Sequence, residues 1–209
     1  EKSRTGPGWK VLIVDDEEDV HTVTHLSLRD IEWQGRGLEL LDASSAAEAR
    51  KVLRENNDIA LVLLDVIMET DNAGLTLVKY IRETLQDSFI RIVLRTGQPG
   101  QVPEREVVAA YDINDYKTKS ELTSEKLYTT IISALRGYNA LKSLESYRQN
   151  LEKKVEERTR ELQEVLEKTV KGSINILTDI LALASPEAFL RSQRITKLAE
   201  KISAELPEE

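Results

Sequence analysis

The sequence predicts a doubly wound α/β fold, a five-stranded parallel sheet of order 2-1-3-4-5, followed by a long C-terminal coiled-coil helix and a short helical extension. Three observations carry this. Short strand candidates at 10–14, 38–41, 60–64, 90–94 and 113–116 alternate with segments of helical period, the pattern of parallel strands joined by right-handed crossover helices. The run Ala60-Leu61-Val62-Leu63-Leu64 is apolar throughout and ends on Asp65, which marks a strand buried on both faces. No proline lies between Pro103 and Pro186, so nothing there forbids a long helix.

The 209 residues accommodate one domain of ordinary size and a substantial appendage. With 40% hydrophobic and 32% charged residues, the chain reads as soluble material with enough Leu, Val and Ile to fill a core. It has no cysteine, which removes disulfides, thiolate metal sites and cysteine nucleophiles together and suits a cytoplasmic protein. No apolar run reaches the roughly 18 residues of a membrane span, and no charged-then-apolar leader opens the chain. The formal charge of −8 opposes direct nucleic-acid binding, because a polyanion needs a basic face. The chain opens on Glu1 and its only methionine is Met68; a fragment or processed product is expected.

Residues 1–8, with two glycines and a proline, read as a leader. The first strand, Lys10-Val11-Leu12-Ile13-Val14, runs into Asp15-Asp16-Glu17-Glu18-Asp19. Val20, Val23, Leu26, Leu28 and Ile31 then recur at mostly helical spacing and predict a helix, broken by Gly35 and Gly37. A second strand spans 38–41, and Ser44-Ser45 cap a helix with Ala46, Ala49, Val52 and Leu53 on one side. Asn56-Asn57-Asp58 ends that helix before the Asp65 strand. Residues 74–82 resume a helical period, 90–94 give the fourth strand, 103–110 a short helix, and 113–116 the fifth strand. The first domain is therefore expected at 9–136.

In open α/β sheets, ligands bind beyond the carboxyl ends of the strands. The first and third strands are neighbours in the predicted order, so Asp15 and Asp16 can converge with Asp65. Two or three such carboxylates suffice for a hard divalent cation such as Mg2+, which keeps part of its water. Thr96 ends the fourth strand with a hydroxyl, and Lys119 follows the fifth with a mobile ammonium. Taken singly, Asp15 and Asp16 could cap the next helix, Asp65 could be a turn residue and Lys119 a solvated charge. His21 and His25 lie four apart and could chelate a metal from one helix face, but no third ligand is apparent, and the simpler reading is two partly exposed helix residues.

Four stretches in this order, Val11-Leu12-Ile13-Val14-Asp15-Asp16-Glu17, Leu63-Leu64-Asp65, Leu94-Arg95-Thr96-Gly97 and Asn114-Asp115-Tyr116-Lys117-Thr118-Lys119, resemble the receiver domain of two-component response regulators. The resemblance implies that Asp65 accepts a phosphoryl group from a sensor histidine kinase or phosphotransfer protein. It implies direct Mg2+ ligation by Asp16, Asp65 and the backbone carbonyl of Ile67, with Asp15 acting through water. Thr96 and Lys119 would serve the phosphoryl oxygens, and Tyr116 matches the aromatic switch position, though it could equally be a packed edge-strand aromatic. Ser120 stands where receivers usually carry proline, the 68–73 loop lacks their frequent proline, Trp33 to Gly37 lengthen the first crossover, and Lys117 competes with Lys119.

Beyond the receiver, heptads with Leu141 at position a place Leu141, Leu144, Arg148, Leu151, Val155, Arg158, Leu162, Val165 and Thr169 at successive a and d sites. Six of these nine are apolar, which predicts a parallel coiled coil over 137–170 and hence a homodimer. A helix over 124–170 would extend about 70 Å. Residues 150–162 resemble signalling coiled coils that join sensor modules to effectors. Gly172-Ser173 permit a break, and residues 171–209 are expected to be a helical segment opening an output domain. Thr169 to Leu206 resemble the first helices of an HD-GYP phosphodiesterase domain, which hydrolyses cyclic di-GMP, although Arg191 occupies the place of an expected histidine. Both histidines precede Asp30, so no metallophosphohydrolase centre can assemble downstream in these residues. Three readings follow: a phosphorylated receiver acting through a dimeric rod, the regulatory part of a cyclic di-GMP phosphodiesterase, and a non-phosphorylated receiver serving as a dimerisation module.

Overall fold

The computed structural model of the chain describes residues 6–97, 113–119 and 123–205. They fall into two units, Glu1–Ser146 and Tyr147–Glu209. The first contains β1 (Trp9–Val14), α1 (Glu18–Leu28), β2 (Glu32–Trp33), β3 (Arg36–Ala43), α2 (Ala46–Glu55), β4 (Ile59–Asp65), α3 (Ala73–Lys79), β5 (Arg91–Thr96) and β6 (Asp115–Thr118). α4 (Ser124–Ala184) begins in the first unit and ends in the second, where α5 (Pro186–Glu205) follows. The helix predicted at 103–110 lies outside the described residues. No helix among the described residues is long and apolar enough to cross a membrane.

The sheet has six strands in the order β2-β3-β1-β4-β5-β6. Its five parallel strands keep the predicted 2-1-3-4-5 arrangement, and the added member is an antiparallel edge strand, β2, paired with the start of β3. The turn between them holds Gln34 at φ 53° and Gly35 at φ 73°. Two consecutive left-handed residues form the two-residue turn whose twist suits a hairpin. The segment that appeared to lengthen the first crossover therefore extends the sheet.

Strand alternation divides the core between two faces. Leu12, Val14, Val62, Leu64, Ile92 and Leu94 pack with Ala49 and Leu53 of α2 and Leu77 and Val78 of α3. Val11, Ile13, Leu61, Leu63 and Val93 pack with Leu28 of α1 and Leu127, Ile131 and Leu135 of α4. Successive β4 side chains thus serve opposite layers, which is why every residue from Ile59 to Asp65 is buried. Each fully buried Leu or Val contributes about 1.5–3 kcal/mol relative to exposure.

The helices follow their local signals with two corrections. Ser45 caps α2, its hydroxyl accepting from the Glu48 amide at 3.2 Å, while the Glu48 carboxylate accepts from the Ser44 amide at 2.8 Å. Such a cap contributes about 1 kcal/mol. α3 continues into a π-helical turn over Tyr80–Thr84. In α1, however, Val23 and Leu26 are exposed, and the buried residues are Thr24 and Leu28. The inward face is an i, i+4 pair with a threonine in it, a stripe that hydrophobic spacing alone passes over. Gly172 and Ser173 do not interrupt α4, which stops only before Pro186, where the ring forbids further backbone pairing.

The predicted seam residues Leu151, Val155, Leu162 and Val165 of the second unit carry large exposures, as does Leu144 near the end of the first. Ile174, Ile176, Leu177, Ile180, Leu181 and Leu183 farther along α4, and Leu190, Ile195 and Leu198 on α5, are exposed as well. Arg158 pairs with Glu161 at 2.7 Å, Arg160 with Glu164 at 3.6 Å and Lys171 with Glu167 at 3.8 Å. Arg148, the other basic seam residue, pairs with Glu152 one turn on.

Candidate phosphorylation site

Strand register assembles the site. β1 and β4 run side by side with Ile13 opposite Leu63 and Val14 opposite Leu64, so the next residues, Asp15 and Asp65, emerge together at the carboxyl edge. β5 brings Arg95 opposite Asp65 and Thr96 just beyond. Asp15 is fully buried and Asp65 is 4% exposed, which takes both carboxylates out of bulk water at a cost that must be met locally.

Lys119 meets that cost. Its ammonium lies 2.8 Å from Asp65 Oδ2, 3.2 Å from Asp15 Oδ2 and 2.7 Å from Glu17 Oε1. Burial disfavours its charge, but hydrogen bonds to Asp65 and Glu17 and the surrounding carboxylates outweigh this and raise its pKa. Asp65 is also raised: burial, with the nearby Asp15 charge, overcomes the pull of Lys119. The two directions agree, since one ammonium is shared among three acids. Lys117 instead pairs with Asp115 at 3.1 Å, so among the two candidate lysines it is Lys119 that reaches the acids.

Among the described residues, Asp65 Oδ1 is buried without a hydrogen-bond partner. Oxygens of Asp15, Glu17 and Asp65 lie within 4.8 Å of one another, a spacing that a cation could bridge. An orphaned carboxylate oxygen in an oxygen-only cluster fits a hard divalent ion. Asp16 is exposed and stands outside this cluster, while Glu17, which the sequence reading passed over, stands within it. Glu17 is displayed by the turn into α1, whose amide donates to Asp15 Oδ1 at 3.1 Å. Ile67 is half-buried beside the core in the loop after β4.

The remaining predicted residues take separate places. Thr96 is buried at the end of β5. Tyr116 is buried on β6 in the layer with α2 and α3. Behind Asp65, Gly74 lets α3 approach closely: its amide donates to the Val66 carbonyl at 3.1 Å, and a Cβ there would clash with the Asp65 carbonyl oxygen. Glu69, in the same loop, accepts from the Ala46 amide at the start of α2 at 3.0 Å.

His21 and His25 share an acid that sequence spacing did not supply. His21 Nδ1 lies 2.7 Å and His25 Nε2 2.8 Å from the Asp42 carboxylate at the end of β3. His21 Nε2 donates to the Asp15 carbonyl at 2.8 Å, tying α1 to the end of β1. The largest surprise is Arg95, whose side chain is 4% exposed. Its Nη1 donates to Thr24 Oγ1 at 3.1 Å and its Nη2 to Asp15 Oδ2 at 3.4 Å. A charged residue two places after Val93 in a strand buried on both faces was the available signal, because alternation puts it in the α1 layer.

Residues 11–132 match the family described as response regulator receiver domain. Over 180 residues the chain is 47% identical to the 3′3′-cGAMP-specific phosphodiesterase 2 of Vibrio cholerae, a match covering 84% of this chain and 34% of that protein. The chain thus spans about a third of the length of this curated relative. Among solved structures, a receiver domain protein from Clostridium thermocellum aligns with a TM-score of 0.53 at 24% identity, covering 64% of this chain and 98% of that one. The receiver domain of an HD domain-containing protein from Pseudomonas fluorescens aligns with a TM-score of 0.54 at 18% identity, covering 65% and 93%. These structural likenesses establish the fold.

Proposed function

This chain belongs to the response regulator receiver family, and from that premise we propose that Asp65 is its phosphoacceptor, with the phosphorylated state passed through α4 to an output. The observation that carries the reading is the pair of Asp65 oxygens: Oδ2 held by Lys119 at 2.8 Å, Oδ1 buried and, among the described residues, without a hydrogen-bond partner. In the proposed transfer, a carboxylate oxygen of Asp65 forms a bond to the phosphorus of a phosphohistidine. The phosphorus–nitrogen bond breaks, and its electron pair stays on the departing imidazole. Lys119 offsets charge on the phosphoryl oxygens and the Thr96 hydroxyl donates to one of them, so the protein contributes positioning and charge neutralisation.

Asp15 and Asp65, with Asp16 and the Ile67 carbonyl by resemblance, would hold Mg2+, and Glu17 joins them as a further candidate. A bound Mg2+ supplies positive charge to the phosphoryl oxygens. Tyr116 is assigned as the switch residue: a shift of Thr96 toward the phosphoryl group would vacate room near its ring. The partners in this reading are a histidine kinase or phosphotransfer protein in the cytoplasm and a second copy of the chain, paired in parallel along the seam from Leu141 to Thr169. The exposed a and d residues support that pairing.

Incubation with acetyl phosphate and Mg2+ tests the assignment by intact mass. One added phosphoryl group is expected on the wild type and none on Asp65→Asn; an unmodified wild type, or equal modification of both, overturns it. Solution scattering of the same samples reads whether the phosphorylated dimer changes. A second reading is favoured by the phosphodiesterase relative: the chain acts as the regulatory region of a cyclic-dinucleotide phosphodiesterase. Hydrolysis assays on a longer form, with and without Asp65→Asn, would separate it from an inert dimerisation module.

A further inference from the structure

Lys119, Thr96 and a divalent cation account for the chemistry assigned to Asp65, and they leave Arg95 unused. Yet Arg95 is built into the same cluster. It stands opposite Asp65 in the β4–β5 register, and its guanidinium meets Asp15. Thr24 anchors the other side of the fork, and the Thr24 hydroxyl is itself fixed by the Val20 carbonyl at 2.6 Å. Among the described residues, Arg95 Nε has no hydrogen-bond partner. A guanidinium buried with an unmet donor is expensive, and an apolar residue would fill the same layer without that cost.

The two cations of the site differ in freedom. Lys119 is 21% exposed on a flexible stem and can leave Asp15 for a phosphoryl group. Arg95, by contrast, is buried on β5 and held by Thr24 of α1 and by Asp15. Asp15, Glu17 and Asp65 bring three negative charges and Lys119 and Arg95 two positive ones, but only the charge of Arg95 is fixed. A cation bound to these carboxylates meets that like charge in a setting of low effective dielectric.

We propose that Arg95 is a built-in counter-ion of Asp15, a positioning residue that holds the Asp15 carboxylate and sets how weakly the cluster binds a divalent cation. This rests on the reading of Asp15 and Asp65 as carboxylates of a cation site. Removing the charge deletes a repulsion between Arg95 and the cation, so affinity for the cation rises.

Isothermal titration of the unphosphorylated chain with MgCl2 at constant ionic strength provides the test, on wild type, Arg95→Gln, Arg95→Met and Arg95→Lys. The two neutral variants should bind Mg2+ at least about tenfold more tightly than wild type, a modest fraction of the repulsion removed. Arg95→Lys, which keeps the charge, should stay close to wild type. Arg95→Gln retains amide donors for Thr24 and Asp15, which guards against loss of the fold. If a neutral variant is too unstable for titration, the Mg2+-induced rise in melting temperature reports the same affinity. Unchanged or weaker binding in folded neutral variants overturns the proposal, as does equal tightening in Arg95→Lys. Asp65→Asn separates the two levels: Mg2+ binding lost there but unchanged in Arg95→Gln defeats the role of Arg95 alone. Mg2+ binding to none of the proteins defeats the cation site as well.

Discussion

The two units treat their apolar residues in opposite ways. In the first, Leu61, Leu63, Leu64, Leu94 and Ile131 are fully buried and each face of the sheet is covered by helices from the same chain. In the second, Leu151, Val155, Leu162, Val165, Leu177 and Leu198 are exposed on two helices. A unit whose strands are greasy on both faces completes its own core. A helix greasy along one heptad stripe completes it only against another helix. The contrast locates where the chain is self-sufficient and where it asks for company.

The sharpest way to break the contrast is to charge the stripe. Leu151→Glu combined with Leu162→Glu removes two apolar contacts per chain, each contributing about 1.5–3 kcal/mol, and sets carboxylates against each other in the proposed parallel seam. Sedimentation equilibrium should show the proposed homodimer weakened by more than about a hundredfold, the equivalent of roughly 3 kcal/mol. The melting of the first unit should not move. A dimer that survives both substitutions would place the pairing surface elsewhere.

The reciprocal experiment is Leu63→Ala. Leu63 is fully buried between β1, β5 and the α1–α4 layer, and the truncation leaves a cavity that close-packed strands fill only partly. Urea unfolding should register a loss of about 2–5 kcal/mol, with the oligomeric state unchanged. A loss well below this range would mean that the sheet relaxes around the missing atoms.

Most of the first unit was legible because buried parallel strands announce themselves as unbroken apolar runs. Val11 to Val14 and Ala60 to Leu64 could be placed from sequence, and their adjacency carried Asp15 to Asp65. What escaped was whatever depends on which way a side chain turns. The inward residue of α1 is Thr24, whose hydroxyl bonds its own helix and so tolerates burial, while Val23 beside it faces out. Arg95 precedes Thr96 in the strand, and alternation consigns its side chain to the interior. Glu17 lies in the acidic cluster while its neighbour Asp16 is exposed, a difference in side-chain direction that residue order does not show. Asp42, distant in sequence from His21 and His25, became their common partner through the β1–β3 pairing. The exposed stripe of the second unit was legible as heptads, but its helix ran through Gly172, since one glycine costs only about 1 kcal/mol within an otherwise favourable helix.

The smallest expected effect bears on the price of placing a functional acid inside the self-sufficient unit. Burial, together with the Asp15 charge, raises the Asp65 pKa in the folded protein above its ordinary value of 3.8. The folded state therefore holds this proton more tightly than the unfolded state. Stability attributable to Asp65 falls as pH rises from the unfolded value through the raised folded one, and stays at the lower level above it. Asp65→Asn abolishes this ionisation, while Lys119 retains Asp15 and Glu17 as partners. At neutral pH the variant should be more stable than wild type by less than Leu63→Ala loses, and the gain should shrink as pH falls toward 3.8, where Asp65 is increasingly protonated in both states. Urea unfolding of both proteins across this pH range, without added Mg2+, measures the difference. A gain that grows on acidification would reverse the sign and show that the Lys119 pair outweighs burial at Asp65.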